Sequence, residues 1–534
     1  MGVRITTFLA DEELYVPLAR WVPHHLPEAL WTFAPWQRGL QRLDVFALSV
    51  PFGLARSPDA FLAGHTVQAF LFASAAVPVW LMGRQLGLGA GGSLAAGALC
   101  LLGPFGVLAT TFLAEPIAYP AYLWALWAAW RALATPSPGG DAGAVCLALA
   151  AGLARTQLVG MLLVLPLAAL LLGRGRPGAR QTLRAHRLAF IVVVPTVLVL
   201  LAFRDSVFGT YSRSPVATPA RVVHLLASTS VHFAAAVAFA PALLAFVFVG
   251  RAALGNLRPH ERAFAAVVVV SAAAVGASVL VGGQDERYAV YLAGPTLLCA
   301  GLALRGRRLQ PGLLVAGALV VGTAAALTTW TRDRGPGVSA IYPAELLVRT
   351  TLVGTLGTIG TAVATGALTL AGLAVAGRSR GRPWAVGALL MLQLAASAAV
   401  THRLLADRSG GPSLQRLGWV DRLLPRHAQA AALVSGRRSG LGDAWRVLHY
   451  WNGSVTERVG ATARAVRLPV GVASLPVDVT GVLARRPPRS GYLLVGRDAS
   501  PVLRRGRLLG SSPDGRLVLL ARGDAAGGPP SKRP

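Results

Sequence analysis

Lysine is nearly missing from this chain: Lys532 is the single lysine among 51 basic residues, and the others are arginine. Acidic side chains are also scarce, 22 in 534 residues, and charged residues of both signs make up only 14%. The three cysteines, Cys100, Cys146 and Cys299, each lie inside an apolar run, which argues against a disulfide framework and a cysteine-based metal site. What is abundant is apolar length. With 54% hydrophobic residues and a mean hydropathy of +0.56, the chain carries more than one soluble core can bury, so it reads as a polytopic membrane protein. The net charge of +29 would suggest nucleic acid in a soluble protein. Here the arginines fill short connections between apolar runs, where they anchor membrane helices, so membrane lipid is an expected partner and nucleic acid is not. The arginine bias itself is what a GC-rich genome encodes.

Apolar segments run at about 60–84, 90–111, 113–134, 141–154, 156–173, 187–203, 226–250, 263–281, 288–304, 311–330, 346–377 and 384–402, which predicts about 12 membrane segments. The two within 141–173 are short for full spans, yet together too long for one straight helix across a bilayer core of about 30 Å. They predict a broken pair meeting at Arg155. The arginines at 174–187, 251–262, 305–308 and 378–382 recur at every second connection, which sets those loops on the cytoplasmic side. The intervening loops, with Asp205, Asp285, Glu286, Asp333 and Glu345, then face outward, and counting backwards puts Asp11, Glu115 and Arg155 outside as well. Residues 1–10 are too short to span and lack the pattern of a signal peptide. An upstream apolar helix is expected on that ground, the alternative being translocation with the first hairpin.

The expected organisation is an outer-face N-terminal segment at 1–58 with an acidic motif, a multi-helix membrane domain at 59–403, an extracytoplasmic mixed α/β domain at 404–522 and a disordered tail at 523–534. The C-terminal domain has strand-like runs at 428–435, 465–473, 490–496 and 516–521 and a helical run at 442–456. Its Ser511–Gly515 stretch reads as a hairpin turn. Trp419, Trp445, Tyr450 and Trp451 are read as core packing ahead of sugar stacking. Three short patterns carry no function. The glycines of 87–92 follow a membrane helix rather than a strand, so they form an interhelical turn; Asn452-Gly-Ser454 is a chance sequon; His24-His25 lacks the spacing of a helical zinc pair.

Four polar clusters remain at the outer ends of apolar segments. In a helix Asp11 and Tyr15 are four residues apart and Glu12 and Tyr15 three, so a carboxylate shares a face with the phenol; a surface amphipathic helix would have the same pattern. Glu115 interrupts an apolar stretch before Pro116, with Tyr119 and Tyr122 on its helical side. An ionisable group in that position is a functional candidate. Arg155, followed by Gln157, lies between two apolar helices with no acid near it in sequence, so its partner comes from elsewhere in the fold or from a ligand phosphate. Asp285, Glu286, Arg287 and Tyr288 form the fourth cluster, in which Arg287 could simply pair with its acidic neighbours.

Taken in order, Asp11-Glu12-x-x-Tyr15, Ala-Glu115-Pro-x-x-Tyr119, Ala-Arg155-Thr-Gln157 and Glu286-Arg287-Tyr288 resemble the GT-C superfamily, the polyprenyl-phosphate-sugar-dependent membrane glycosyltransferases grouped with the protein O-mannosyltransferase-like enzymes. The resemblance covers about residues 8–300, and each motif is short, so the order and the shared face carry it. It implies transfer of a sugar from a lipid phosphate, with inversion, to a cell-envelope glycan, lipid or protein. It further implies that Asp11 deprotonates the acceptor, that Glu12 supports it, and that Asp11 or Glu12 would hold a divalent metal if one is used. Arg155 and Arg287 would bind the departing phosphate, while Tyr15, Glu115, Tyr119, Gln157, Asp285, Glu286 and Tyr288 hydrogen-bond sugar or orient the charges. A lipid or solute transporter would instead need charges along a path to the cytoplasmic side and paired broken helices in two halves. A non-catalytic assembly protein would leave Asp11, Glu115 and Arg155 without a reason to share a face.

Overall fold

The structure is a computed structural model of the full chain, and it describes residues 12–24, 26, 42–173, 179–203, 218–237, 239–255, 257–282, 286–305, 418–425, 428–434, 452, 454–460, 491–496, 507–512 and 517–521, with a few isolated positions between 315 and 398. The expected spans at 311–330, 346–377 and 384–402 and the strand at 465–473 lie outside the described residues. The chain divides into two compact units, one of residues 1–35, 45–64 and 408–534, the other of residues 36–44 and 65–407.

The larger unit is helical. Among the described residues four helical stretches are long and apolar enough to cross a membrane, 59–85, 156–173, 259–280 and 287–304, and two bent pairs bring the number to six. The first bend has a visible cause. The first pair, Gly89–Leu102 and Pro104–Thr110, turns by 63° at Gly103-Pro104, where proline cannot donate to the preceding turn. The second pair surrounds residue 238 within the expected 226–250 segment. Of the glycine-rich stretch at 87–92, expected as an interhelical turn, only Gly87 and Leu88 lie between helices, and residues 89–92 open the helix Gly89–Leu102; Gly87 at φ +82° and Gly89 at φ +74° hold a backbone that side chains with a Cβ resist. Helix α1 is taken here as Glu115–Ala134 and α2 as Pro138–Ala154, an antiparallel pair whose link is capped by Ser137, its hydroxyl accepting from the Gly140 N–H at 3.0 Å.

The chain breaks where the sequence predicts, at Arg155. That residue is extended (φ −154°, ψ 126°) between α2 and a 3-10 helix, Thr156–Leu163, which continues as α3, Val164–Gly173. A second 3-10 helix, Glu286–Leu292, leads into α4, Ala293–Leu304, after the long helix Pro259–Gly282. Gly160 lets the first 3-10 helix lie close to that long helix, since a Cβ there would come within 3.2 Å of the Ala274 methyl.

The smaller unit carries helical segments Glu12–Trp21 and 45–54 and a five-stranded sheet, β1 Ala430–Val434, β2 Val455–Gly460, β3 Tyr492–Gly496, β4 Arg507–Ser511 and β5 Leu517–Ala521, in the order β2-β1-β3-β5-β4. Strand β1 runs parallel to β2 and to the central β3, and β5 is antiparallel to both β3 and β4. Its core gathers Trp419, Val420, Leu494 and Leu519, so Trp419 packs inward. On either side of the expected hairpin turn, β4 and β5 are antiparallel neighbours, and the Ser512 N–H donates to the Leu517 carbonyl at 2.8 Å. Residues 455–456, expected within a helical run, are strand instead, because Val455 pairs with Ala430 of β1. Asn452 is buried and accepts from the Val420 and Asp421 N–H groups at 3.1 and 3.2 Å, which makes the sequon asparagine a structural cap. Arg56 donates to the carbonyls of Asp421, Leu424 and Pro425 at the end of the short helix Trp419–Leu423.

Candidate active site

Three of the four predicted clusters contribute to one place in the helical unit. Glu115 is the first residue of α1, where a carboxylate is favoured by the helix dipole, and it is wholly buried (0%). Arg155 (2% exposed) forms an ion pair with its Oε1, and Arg287 (6%) brings its Nε to 3.5 Å from the same oxygen. Arg155 precedes one 3-10 helix and Arg287 lies in the first turn of another, so the starts of two 3-10 helices deliver two guanidiniums to one carboxylate. Tyr288 lies between them in effect, with the Arg155 guanidinium 4.8 Å and that of Arg287 5.4 Å from its ring centroid.

Glu115 Oε2 and Gln157 Nε2 are among the buried polar atoms here that have no hydrogen-bond partner among the described residues. Glu115 Oε2 is an unused acceptor, and Gln157 Nε2 is an unused donor on a side chain whose Oε1 accepts from Arg155 Nε at 3.0 Å. Unsatisfied buried groups of this kind are costly in a folded protein and are expected where a ligand completes them. Gln157 is further held by its carbonyl, which accepts from the Ser278 hydroxyl at 3.0 Å. It also lines a cleft of about 720 Å³ whose other walls include Leu163, Leu167, Leu171, Val197, Leu201 and Ala277. The cleft is therefore apolar along most of its length and polar at Thr156, Gln157 and Ser278, where Gln157 joins it to Arg155.

Tyr119, one turn after Glu115, stands behind this layer, its ring 6.4 Å from that of Tyr291. The remaining predicted residues are not brought here by the described structure. Asp11 and Asp285 lie outside the described residues, as do the side chains of Glu12 and Glu286, and Tyr15 is buried in the smaller unit.

Sequence reasoning missed Asp44, Gln68 and Arg42. Asp44 is buried and accepts from Gln68 Nε2 at 2.7 Å; burial pushes its carboxyl well above the usual carboxylate range, with the Gln68 bond and the Arg155 charge opposing and the Glu115 charge adding. The helix it opens, Leu43–Leu54, is too short to span. The Arg42 N–H donates to the Leu153 carbonyl at 2.9 Å, two residues before Arg155, so this stretch is tied to the helix break. The available signal was Leu43–Leu54, an apolar run inside what reads as an outer segment. As for a metal, no three His, Cys, Asp or Glu side chains converge among the described residues. Glu115, already facing two guanidiniums, does not suit a divalent cation either.

The arrangement of the chain is a fold already seen in solved structures. Two solved structures carry that likeness: ArnT from Cupriavidus metallidurans in the apo state, at TM-score 0.52 and 15% identity over 98% of this chain and 95% of that one, and the same protein bound to undecaprenyl phosphate, at TM-score 0.53 and 16% identity over 99% and 96%. No protein-family model and no curated protein matches the sequence.

Proposed function

We propose that this protein is a membrane glycosyltransferase that takes a sugar from a polyprenyl-phosphate donor and passes it to a cell-envelope acceptor on the outer face. The observation that carries the reading is that the apolar cleft ends at Gln157, whose side chain is bonded to Arg155, which shares the Glu115 carboxylate with Arg287. A phosphate on a long isoprenoid chain has the same two halves: the tail suits the cleft, and the phosphate suits guanidinium forks in a poorly solvated place. That the solved ArnT structure of like fold is bound to undecaprenyl phosphate supports this choice of donor. The full topology in this reading has about 12 membrane segments, with Asp11, Glu115, Arg155, Arg287 and the C-terminal domain all outside.

In the reaction, the acceptor oxygen forms a bond to the anomeric carbon from the face opposite the phosphate, and the configuration inverts. The anomeric C–O bond breaks with its electron pair on the phosphate oxygen, where Arg155 and Arg287 stabilise the charge. The acceptor proton passes to Asp11, supported by Glu12. Glu115 fixes the two guanidiniums and offers Oε2 to a sugar hydroxyl, and Gln157 offers its spare N–H to the phosphate. Tyr15, Asp285, Glu286 and Tyr288 complete the contacts to the sugar or orient the charges.

Transfer of labelled sugar from polyprenyl phosphate, measured beside donor binding on the same purified variants, tests this reading. Asp11→Asn keeps size but removes the base, so turnover falls about 100-fold or more while donor binding persists. Arg155→Lys keeps charge but loses the fork, so donor binding weakens about 10-fold or more. Unchanged transfer in Asp11→Asn removes it as the base; unchanged donor binding in Arg155→Lys removes the phosphate site.

A further inference from the structure

A second pocket, of about 380 Å³, opens at the far ends of the helices that hold the Glu115 cluster. It is lined by Leu133 and Ala134 at the end of α1, whose 20 residues put it roughly 30 Å from Glu115, about one bilayer core away. Gly173 lines it from the end of α3, and His260 and Arg262 from the start of the long helix at 259–282. This is the arginine-rich end of the unit.

Among the described residues the lining is rich in hydrogen-bond donors and contains no carboxylate. His186 is buried, and its Nδ1 lies 2.8 Å from Oδ1 of the fully buried Asp141, which leaves Nε2 as the nitrogen for the pocket. Arg262 has its Nε buried with no hydrogen-bond partner among the described residues, and it has no acidic partner there. Its neighbour Glu261 is engaged elsewhere, with Arg305 at 3.7 Å and the Arg258 N–H at 3.1 Å. Gln181 and Thr182 add polar groups, while Leu133, Leu172 and Ala263 keep part of the wall apolar. A concavity with an unsatisfied guanidinium Nε, a carboxylate-oriented imidazole and an apolar flank is built for an anion that carries a hydrocarbon portion.

We propose that this pocket binds a phosphate group, and specifically the phosphodiester headgroup of an anionic lipid in the leaflet opposite the Glu115 cluster. Basic pockets between membrane helices on the positive face are suited to such headgroups. The site does not depend on the sugar-transfer reading.

The test uses the purified full chain in nanodiscs of phosphatidylcholine alone or with added phosphatidylglycerol, and follows the thermal unfolding midpoint. Phosphatidylglycerol should raise the midpoint of the wild type by several degrees. Arg262→Gln and His260→Gln should each lose half or more of that rise, whereas Arg84→Gln, an exposed arginine that does not line the pocket, should keep it. Inorganic phosphate added to phosphatidylcholine discs separates the sources. No rise supports the lipid, and a full rise that Arg262→Gln abolishes assigns the site to free phosphate and overturns the lipid headgroup. An equal lipid-induced rise in wild type, Arg262→Gln and His260→Gln overturns the pocket itself.

Discussion

Glu115 meets two guanidiniums with one oxygen and has no exposure to water, so its shape and its charge can be separated by mutation. Glu115→Ala removes both and leaves Arg155 and Arg287 facing each other, a loss expected to cost about 3–5 kcal/mol as for a broken buried ion pair. Glu115→Gln keeps the volume and one acceptor, so its thermal midpoint should fall less than that of Glu115→Ala; equal midpoints would mean that the charge alone matters. The pairing partner of Arg155 could not be read from the chain, because 40 residues of sequence separate it from Glu115. That each needed a partner was legible, since an ionisable side chain interrupting an apolar stretch is costly unless satisfied. Asp44 was hidden for the opposite reason: beside Arg42, at the edge of a polar region, it looks solvated, and its burial against Gln68 depends on the tertiary fold.

The helix break at Arg155 shows how much an element's length can reveal. Two apolar runs, each short for a span and together too long for one, cannot form a single straight helix, and the structure ends α2 at Ala154 and restarts with a 3-10 turn. The second 3-10 helix, at Glu286–Leu292, left no comparable mark, because its residues read as the start of an ordinary helix. In the smaller unit, Val455 and Thr456 fell within a run of helical appearance, and pairing with β1 overrode that local pattern. The cleft belongs to this scale too, since its walls come from separate helices. Ala277 lines it from the long helix at 259–282, so Ala277→Trp should fill it where a lipid tail would lie. Binding of a long-chain polyprenyl phosphate should then weaken about 10-fold or more, the size expected from excluding several buried methylenes, while a short-chain analogue binds as before. Equal losses for both lengths would count against the cleft as the tail site.

At the scale of the molecule, the alternation of arginine-rich and acidic connections predicts which side each end of a helix occupies. In a variant without Cys100, Cys146 and Cys299, a cysteine introduced at Arg180 should react with an impermeant reagent only from the cytoplasmic side, and one at Asp285 or Tyr450 only from outside. Labelling of positions 180 and 450 from the same side would contradict the topology. The fold of the molecule was legible from hydropathy and from four short motifs in order, and its likeness to solved structures, at 15–16% identity, lies in helix arrangement rather than in residue identity. The most direct measurement is photocrosslinking of a polyprenyl phosphate carrying a photoreactive group in its tail, with the modified residues mapped by mass spectrometry. The account predicts labels on residues 157–171, 197–201 and 269–278, suppressed by unmodified polyprenyl phosphate and weakened in Arg155→Lys. Labels confined to other helices, or a pattern unaffected by competitor and by Arg155→Lys, would contradict it.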